Sequence, residues 1–377
     1  MGSPLNPHLQ PGFWPRLGAL LLMVPFDLLV ALGLCLAEIL YLPFSLLRRK
    51  TAPSVLPARL RASLIVLNWD GKHLLEEFLP SVVEAVRQDG GGHEILVVDN
   101  GSRDDSVAFL KARHPQVKVV ALDRNRRFTG GNNAGVKAAA GDVVVLLNND
   151  MEVDPHFLRP LLEGFGDENV FAVTSQVFFQ DKSRRREETG ATRSRWRRGF
   201  PEPYHDEVPP EPAGARLPVF WAGGGSSAFD RRKFLALGGL DRLYDPFYLE
   251  DVDLSYQAWK RGWKSLLAGD SLVVHKHRGT NRGRFGDNFV DNTIRKNQYL
   301  FVWKSITDAG WILQHCFFLP LTQARFLAQT SVRFELRAFF RALLQFPEAL
   351  YKRYRRRACY RRSDASIFAE TSGGEPR

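Results

Sequence analysis

The chain has 377 residues, 44% of them hydrophobic in type, enough for one large domain or two ordinary ones. Lys and Arg exceed Asp and Glu by 52 − 41 = 11, so an anionic partner is expected: a phosphorylated substrate, a membrane surface or nucleic acid. Its three cysteines, Cys35, Cys316 and Cys359, lack disulfide or zinc spacing, which excludes a small stapled scaffold and points to a reducing compartment.

Leu17 to Leu47 is almost wholly apolar, broken by Pro25, Asp27, Glu38 and Pro43. As one helix its 31 residues would extend about 46 Å, more than the roughly 30 Å of bilayer hydrocarbon. Without a basic leader or a small-residue cleavage site, it is not expected to be a removable signal peptide. Arg48, Arg49 and Lys50 follow it and only Arg16 precedes it, so the positive-inside bias puts the body of the chain on the cytoplasmic side. Asp27 and Glu38 lie three helical turns apart and share a face; each would cost about 2.5–3.5 kcal/mol at mid-bilayer. A tilted span with its acids against a partner, a kinked re-entrant hairpin and an interfacial helix all satisfy this pattern.

Residues 51–60 read as a linker with Pro53 and Pro57. A strand–helix alternation follows: strands at Ser63–Leu67, Glu94–Val98, Val117–Leu122 and Val143–Leu147, and helices around Leu75–Val86, at Ser106–Arg113 and at Asn132–Ala140. Short β-branched strands between helices imply an α/β fold, a parallel sheet covered on both faces. Such sheets bind ligands at the carboxyl ends of their strands, where Asn68, Asp99, Asn100, Asn148, Asn149 and Asp150 fall. Gln180 to Pro218, rich in Arg, Glu and Pro, reads as a long mobile loop. Residues 219–280 return to order with a Gly-rich strand end, a helix and a closing strand. Residues 296–351 are helical, with Arg333, Arg337 and Arg341 on one stripe and Val332, Leu336, Phe339, Phe340 and Leu343 opposite; residues 311–320 are too few to span a bilayer. The segment KRYRRRACYRR then places seven basic residues in eleven.

Three features carry chemistry. Carboxylates just past a strand end, Asp99 and Asp150, can bind ribose, base or a divalent cation, although DNGSRDD also suits an Asx-turn. The glycines of RFTGGNNAG (Gly130, Gly131, Gly135) open a helix whose N–H groups suit phosphate, yet neither GxGxxG nor a P-loop is matched. Glu250, Asp251 and Asp253 crowd a helix start, where like charges raise one another's pKa and suit a general base, or where Asp251 simply caps the helix. His275 ends an apolar strand.

In order, SLIVLNWDG, EILVVDNGSRDDS, RFTGGNNAG, VVVLLNNDMEV, AGGGSSAFDRRKF…GGLD, FYLEDVDLSYQAWKRGW and VVHKH resemble the family 2 glycosyltransferases of the GT-A fold, particularly bacterial rhamnosyltransferase-like members. The likeness runs from about Ser63 to Phe301. It implies a Rossmann-like, mostly parallel sheet with helices on both faces in residues 61–300, a membrane-associated helix and linker in 1–60, and a basic, amphipathic helical tail in 301–377. By resemblance Asn68, Asp99, Asn133, Asn148 and Asn149 bind the nucleotide-sugar donor. Asp150 and His275 hold Mg²⁺ or Mn²⁺, Asp251 is the catalytic base, and Gly223, Gly224, Ser226 and Glu250 shape the acceptor side. The implied reaction is a single inverting displacement from a nucleotide-diphosphate sugar, dTDP-rhamnose first among donors, to a hydroxyl of a lipid-linked or polysaccharide acceptor. It would take place at the cytoplasmic face of an inner membrane, in cell-envelope polysaccharide synthesis, with anionic lipid as a partner and no nucleic acid. Two departures are visible: Asn148 stands where the metal motif has its first Asp, and RNRRF replaces a Gly before the Phe, so Arg126 or Arg127 could meet the diphosphate. A polyprenyl-phosphate glycosyltransferase and a catalytically degenerate membrane scaffold of the same fold are the alternatives.

Overall fold

A computed structural model describes residues 12–44, 56–57, 59–180, 191–206, 214–276 and 280–372. Arg48–Lys50, most of the linker and the 181–190 and 207–213 stretches of the Arg/Pro-rich segment lie outside the described residues. The chain divides into two compact units: Met1–Lys50, Arg195–Glu202 and Gly279–Ala365 form one, and Thr51–Ser194, Pro203–Arg278 and Ser366–Arg377 the other. Met1–Lys50 and Gly279–Ala365 thus share a unit, while Ser366–Arg377 belongs to the other.

The first unit is helical. It holds α1 (Phe13–Tyr41), and the α/β unit then supplies α2 (Lys72–Asp89), α3 (Ser106–Arg113), α4 (Arg127–Ala138), α5 (Leu158–Glu163), α6 (Arg231–Ala236) and α7 (Glu250–Lys260). The helical unit resumes with α8 (Thr280–Phe285), α9 (Asp287–Ser305), α10 (Ala309–Gln329), α11 (Val332–Leu344) and α12 (Phe346–Arg357), and α13 (Asp364–Thr371) closes the chain. The apolar N-terminal run is thus one helix through Pro25, and the hairpin reading is excluded for residues 13–41. Its buried stripe is Ala19, Met23, Asp27, Val30 and Leu34, at helical spacing. Gln323 of α10 donates to Asp27 at 2.9 Å, and Glu38 accepts from Arg353 at 2.6 Å and Arg357 at 2.9 Å of α12. Both acids therefore meet partners inside the protein, Asp27 an uncharged amide and Glu38 two guanidinium groups, on the face their spacing predicts. Segment 311–320 is part of the longer α10, which carries Gln314, His315, Gln323 and Arg325; among the described residues only α1 is long and apolar enough to cross a membrane. On α11 the buried face is Glu335, Ala338, Phe339 and Ala342, with Arg333 and Arg337 exposed.

The second unit is built on a nine-stranded sheet of order β3-β2-β1-β4-β10-β6-β11-β5, with β9 pairing β11. The strands are β1 (Ala62–Asn68), β2 (Glu94–Asp99), β3 (Lys118–Ala121), β4 (Val143–Asn148), β5 (Met151–Val153), β6 (Val170–Phe179), β7 (Ala191–Arg197), β8 (Phe200–Asp206), β9 (Arg216–Pro218), β10 (Ser226–Asp230) and β11 (Lys264–His275). The pairs among β3, β2, β1 and β4 are parallel, as their βαβ rhythm requires. Beyond β4 the sheet is mixed: β10 runs antiparallel to β4 and β6, while β11 is parallel to β6 and antiparallel to β5 and β9. Strand residues alternate between two cores. Leu64, Val66, Val97, Val145 and Leu147 pack with Leu75, Leu79 and Val82 of α2, while Ile65, Leu96, Val98, Val144 and Leu146 pack with Val136 of α4 and Leu254 of α7. Each such side chain contributes about 1.5–3 kcal/mol on burial.

Two expectations change. Helix α4 starts at Arg127, not Asn132, and its glycines lie against β1: a Cβ at Gly131 would meet Leu67 at 2.4 Å and one at Gly135 would meet Ile65 at 2.6 Å. They serve close helix–sheet packing. The 180–218 segment is not all loop, since β7 and β8 form a hairpin and β9 joins the sheet. Arg198 and Gly199, at φ 49° and 78°, make the turn between β7 and β8, the two positive-φ residues a tight hairpin favours.

Candidate active site

The parallel strands end together, and their terminal residues form one network within the α/β unit. Asn68, fully buried at the end of β1, donates through Nδ2 to Ser106 Oγ at 3.0 Å and more distantly to Asp99 Oδ1 and Ser102 Oγ, both at 3.4 Å. Its Oδ1 accepts from Asn149 Nδ2 at 2.8 Å. Strand register already aligns Asn68 with Asp99, and Leu67 with Asn148. Asp99, also buried, accepts from the Ser102 N–H at 3.1 Å, so it closes the Asx-type turn while lying in the cluster. Gly71 packs against the Asn68–Asn149 pair; a Cβ there would sit 2.4 Å from Asn149 Nδ2.

The loops behind this floor are laced together. Asp70 Oδ1 accepts from the Arg103 N–H at 2.7 Å, and Asn100 Oδ1 accepts from the Arg126 N–H at 2.8 Å. Arg126 pairs with Asp123 at 2.7 Å and Arg127 with Asp245 at 3.2 Å, so both guanidinium groups face acids of the same loops.

Asp150 follows β4 and is buried. Its Oδ2 lies 3.2 Å from His275 Nε2 at the end of β11, and its carbonyl accepts from the Lys276 N–H at 3.2 Å. Antiparallel pairing of β5 with β11, His275 opposite Met151, brings these two residues from 125 positions apart in sequence to one place. A carboxylate oxygen and an imidazole nitrogen this close can share one divalent ion, with further oxygens supplied by a ligand. No third His, Cys, Asp or Glu joins them among the described residues. The donor set thus fits an ion held jointly with a diphosphate.

Asp251 lies in the first turn of α7, whose N-cap is Leu249, so it is not the capping residue. Its Oδ2 accepts from the Gly224 N–H at 3.1 Å and its Oδ1 from the Val252 N–H at 2.8 Å. Burial raises its pKa above the ordinary carboxylate value, and these backbone donors pull part of the way back. Glu250 beside it is buried, its Oε2 has no hydrogen-bond partner among the described residues, and its pKa is raised well above the usual range by burial and then by the Asp251 charge. Both carboxyls therefore hold their protons to higher pH than exposed ones, Glu250 with the Asp251 charge added to its burial. Tyr248 and Leu249 hold φ of 70° and 69°, a left-handed conformation costing each about 1–3 kcal/mol, immediately before this pair. Asp253 instead accepts from Tyr244 Oη at 3.0 Å, deep in the core.

Consecutive glycines join the two halves. Gly224 binds Asp251, while a Cβ at Gly225 would lie 2.6 Å from Asn148 Nδ2 and 3.3 Å from Met151 Cε. The Gly223 carbonyl accepts from Ser227 Oγ at 2.6 Å, and buried Ser226 pairs with Leu147 of β4. The Asn133 amide clamps the backbone of Leu240, donating to the carbonyl at 2.8 Å and accepting from the N–H at 2.9 Å. Sequence reasoning missed Ser102, Ser106, Gly71 and the strained 248–249 turn. Only the Gly after Trp69-Asp70 carried a visible signal, a small residue directly past a strand end.

A mixed α/β sheet with carboxylates and amides at its strand ends, an Asp–His pair and a helix-borne acid is the arrangement that the resemblance to the GT-A fold implies. Residues 63–222 match the family described as Glycosyl transferase family 2. The chain is similar to the succinoglycan biosynthesis protein ExoO of Rhizobium meliloti, 39% identical over 84 residues, 22% of this chain and 24% of that one. It is also similar to an N-acetylglucosaminyl-diphospho-decaprenol L-rhamnosyltransferase of Mycobacterium tuberculosis, 25% identical over 269 residues, 64% of this chain and 82% of that protein. Among solved structures, a mannosyltransferase from Pyrobaculum calidifontis in complex with GDP-Man and Mn²⁺ aligns with TM-score 0.49 and 17% identity, over 88% of this chain and 96% of that one. The chain spans 24% to 33% of the length of three curated relatives it matches.

Proposed function

We propose that this protein transfers a sugar, with inversion, from a nucleotide-diphosphate donor to a hydroxyl of a lipid-linked or polysaccharide acceptor. The observation that carries the reading is the environment of Asp251: a carboxylate of raised pKa, oriented by two backbone donors, on a strained turn and tied through Gly224–Gly225 to Asn148 beside Asp150. The Asp251 carboxylate takes the acceptor hydroxyl proton as that oxygen bonds to the anomeric carbon. The bond from that carbon to the diphosphate oxygen breaks, and the nucleoside diphosphate leaves with the electron pair. One displacement inverts the anomeric centre and needs no covalent intermediate on the protein. Glu250, its pKa raised by burial and then by the Asp251 charge, resists adding a second negative charge beside the base.

Asn68, Asp99 and Asn149 form the floor for the nucleoside, with Ser102 and Ser106 fixing their rotamers. Asp150 and His275 would hold Mg²⁺ or Mn²⁺, which when bound supplies positive charge to the departing diphosphate. The name of the mycobacterial relative favours rhamnose as the sugar and a polyprenol-diphosphate saccharide as the acceptor. Such an acceptor resides in a membrane, and the apolar α1 suits an enzyme bound to the cytoplasmic face of an inner membrane.

The test is a screen of UDP-, GDP- and dTDP-sugars against lipid-linked saccharides and polyprenyl phosphate. It reads nucleoside diphosphate release and the anomeric configuration of the product by NMR. Inverted product on a sugar hydroxyl is expected. Retention of configuration, or transfer only to polyprenyl phosphate, would overturn the assignment.

A further inference from the structure

The helical unit states how α1 meets the bilayer. Leu21, Leu28, Leu32, Ile39 and Leu40 are each more than half exposed, and the side of α1 they occupy carries no charge from Leu17 to Tyr41. That apolar face runs along a helix of 29 residues, about 43 Å, far more than the scattered exposed apolar residues of a water-facing surface. It continues onto α10, where Leu313, Phe317 and Leu321, at a spacing of four, are 63%, 69% and 58% exposed.

The opposite side of α1 is packed, and its neighbours are not membrane-spanning helices. Phe26 meets Phe340 of α11 edge-on at 5.2 Å, Phe346 and Leu350 of α12 press against Gly33, and Arg353 and Arg357 bind Glu38. These same helices expose Arg333 and Arg337 on α11 and Glu348 and Arg355 on α12. Were α1 to cross the hydrocarbon, α11 and α12 would be carried in beside it, and at least four exposed charges would enter lipid. An apolar face laid along one leaflet avoids this.

A rim completes the surface. The tip of the β7–β8 hairpin belongs to the same unit, and there Trp196 stacks on Trp311 of α10 at 4.6 Å and donates to Gln314 Oε1 at 2.9 Å. Arg195, Arg197 and Arg198 surround it, exposed. Tryptophan beside arginine, bordering an apolar stripe, is the chemistry of the headgroup region.

We propose that the helical unit is seated in one leaflet of an anionic membrane: α1 lies in the membrane plane without crossing it, and the Trp196–Trp311 pair with Arg195, Arg197 and Arg198 engages lipid phosphates. The proposal rests on the reading of the protein as membrane-bound and adds its topology and its lipid contact.

The full-length protein, with Cys35→Ala, Cys316→Ala and Cys359→Ser, is given either Ser3→Cys or Gly374→Cys and probed with a membrane-impermeant maleimide in spheroplasts and in inverted inner-membrane vesicles. Both positions are expected to label in the same preparation. Labelling of the two positions from opposite sides would show that α1 crosses and overturn the proposal. Release of the protein into the soluble fraction at neutral pH and moderate salt would instead overturn the underlying membrane reading. In the otherwise unmodified protein, Arg195→Ala with Arg197→Ala and Arg198→Ala should weaken binding to vesicles of 30% phosphatidylglycerol in phosphatidylcholine by on the order of tenfold to a hundredfold, and leave binding to pure phosphatidylcholine unchanged. Unchanged affinity for the anionic vesicles would remove the hairpin tip from the lipid contact.

Discussion

Replacing Asn68 by Ala tests whether the strand ends form one working floor. Four side-chain contacts converge on Asn68, but only two are of ordinary length: the bond from Asn149 at 2.8 Å and the bond to Ser106 at 3.0 Å. The two 3.4 Å contacts, to Asp99 and Ser102, are weak by comparison. Two neutral hydrogen bonds contribute about 1 kcal/mol each. Ser106 keeps its 2.5 Å bond to Asp104, and Asn149 is only partly buried, so neither is left stranded at full cost. The cavity from three lost heavy atoms at a fully buried position adds about another 1 kcal/mol. The sum, about 3 kcal/mol, corresponds to a Tm lower by roughly 6–12 °C. Because the loops after β1, β2 and β4 lose their common partner, affinity for the nucleoside diphosphate should fall at least tenfold. Thermal denaturation followed by circular dichroism, and titration calorimetry with UDP, GDP and dTDP, read the two effects separately. A variant that melts with the parent and binds nucleotide within twofold of it would refute the network as the nucleotide floor.

Other consequences follow from the same geometry. The base acts when ionised, and burial raises the pKa of Asp251, so the acid limb of kcat against pH should lie above the ordinary carboxylate range; a limb near pH 4 would contradict the buried base. Glu250→Gln should leave that limb above the ordinary carboxylate range and kcat within about threefold, because burial is the largest cause of the raised Asp251 pKa. The folded state holds the Glu250 proton more tightly than the unfolded chain, so Glu250 contributes stability below its unfolded pKa that is lost as pH rises through the folded one; Glu250→Gln should remove this alkaline loss in denaturant titrations at several pH values. Asp150→Asn should weaken Mn²⁺ binding, read by calorimetry on the enzyme with nucleoside diphosphate, by at least tenfold, and unchanged affinity would remove Asp150 from the ion.

Much of this was legible because the parallel strands announce themselves. Ser63–Leu67, Glu94–Val98 and Val143–Leu147 are apolar runs that stop at Asn68, Asp99 and Asn148, and the structure lengthens each by the polar residue itself. Helix α4 was harder to delimit, since three glycines depress helix propensity, two of them, Gly131 and Gly135, where close contact with Leu67 and Ile65 requires them. The β7–β8 hairpin was hidden because Ala191, Thr192, Arg193 and Ser194 are all buried, which erases the alternation a half-exposed strand shows; the Arg198-Gly199 turn between Trp196 and Phe200 was the available sign. The clamp of Asn133 on the Leu240 backbone joins positions 107 residues apart and leaves no local trace. The union of α1 with α10 to α12 is equally non-local, although the shared face of Asp27 and Glu38 pointed to it.

The role of Asp251 is tested most directly by turnover of Asp251→Asn. The substitution preserves shape and removes the basic oxygen, so donor affinity should stay within a few-fold of the parent while kcat falls by about two to four orders of magnitude. A variant that binds donor and turns over within threefold of the parent would show that the acceptor proton leaves by another route.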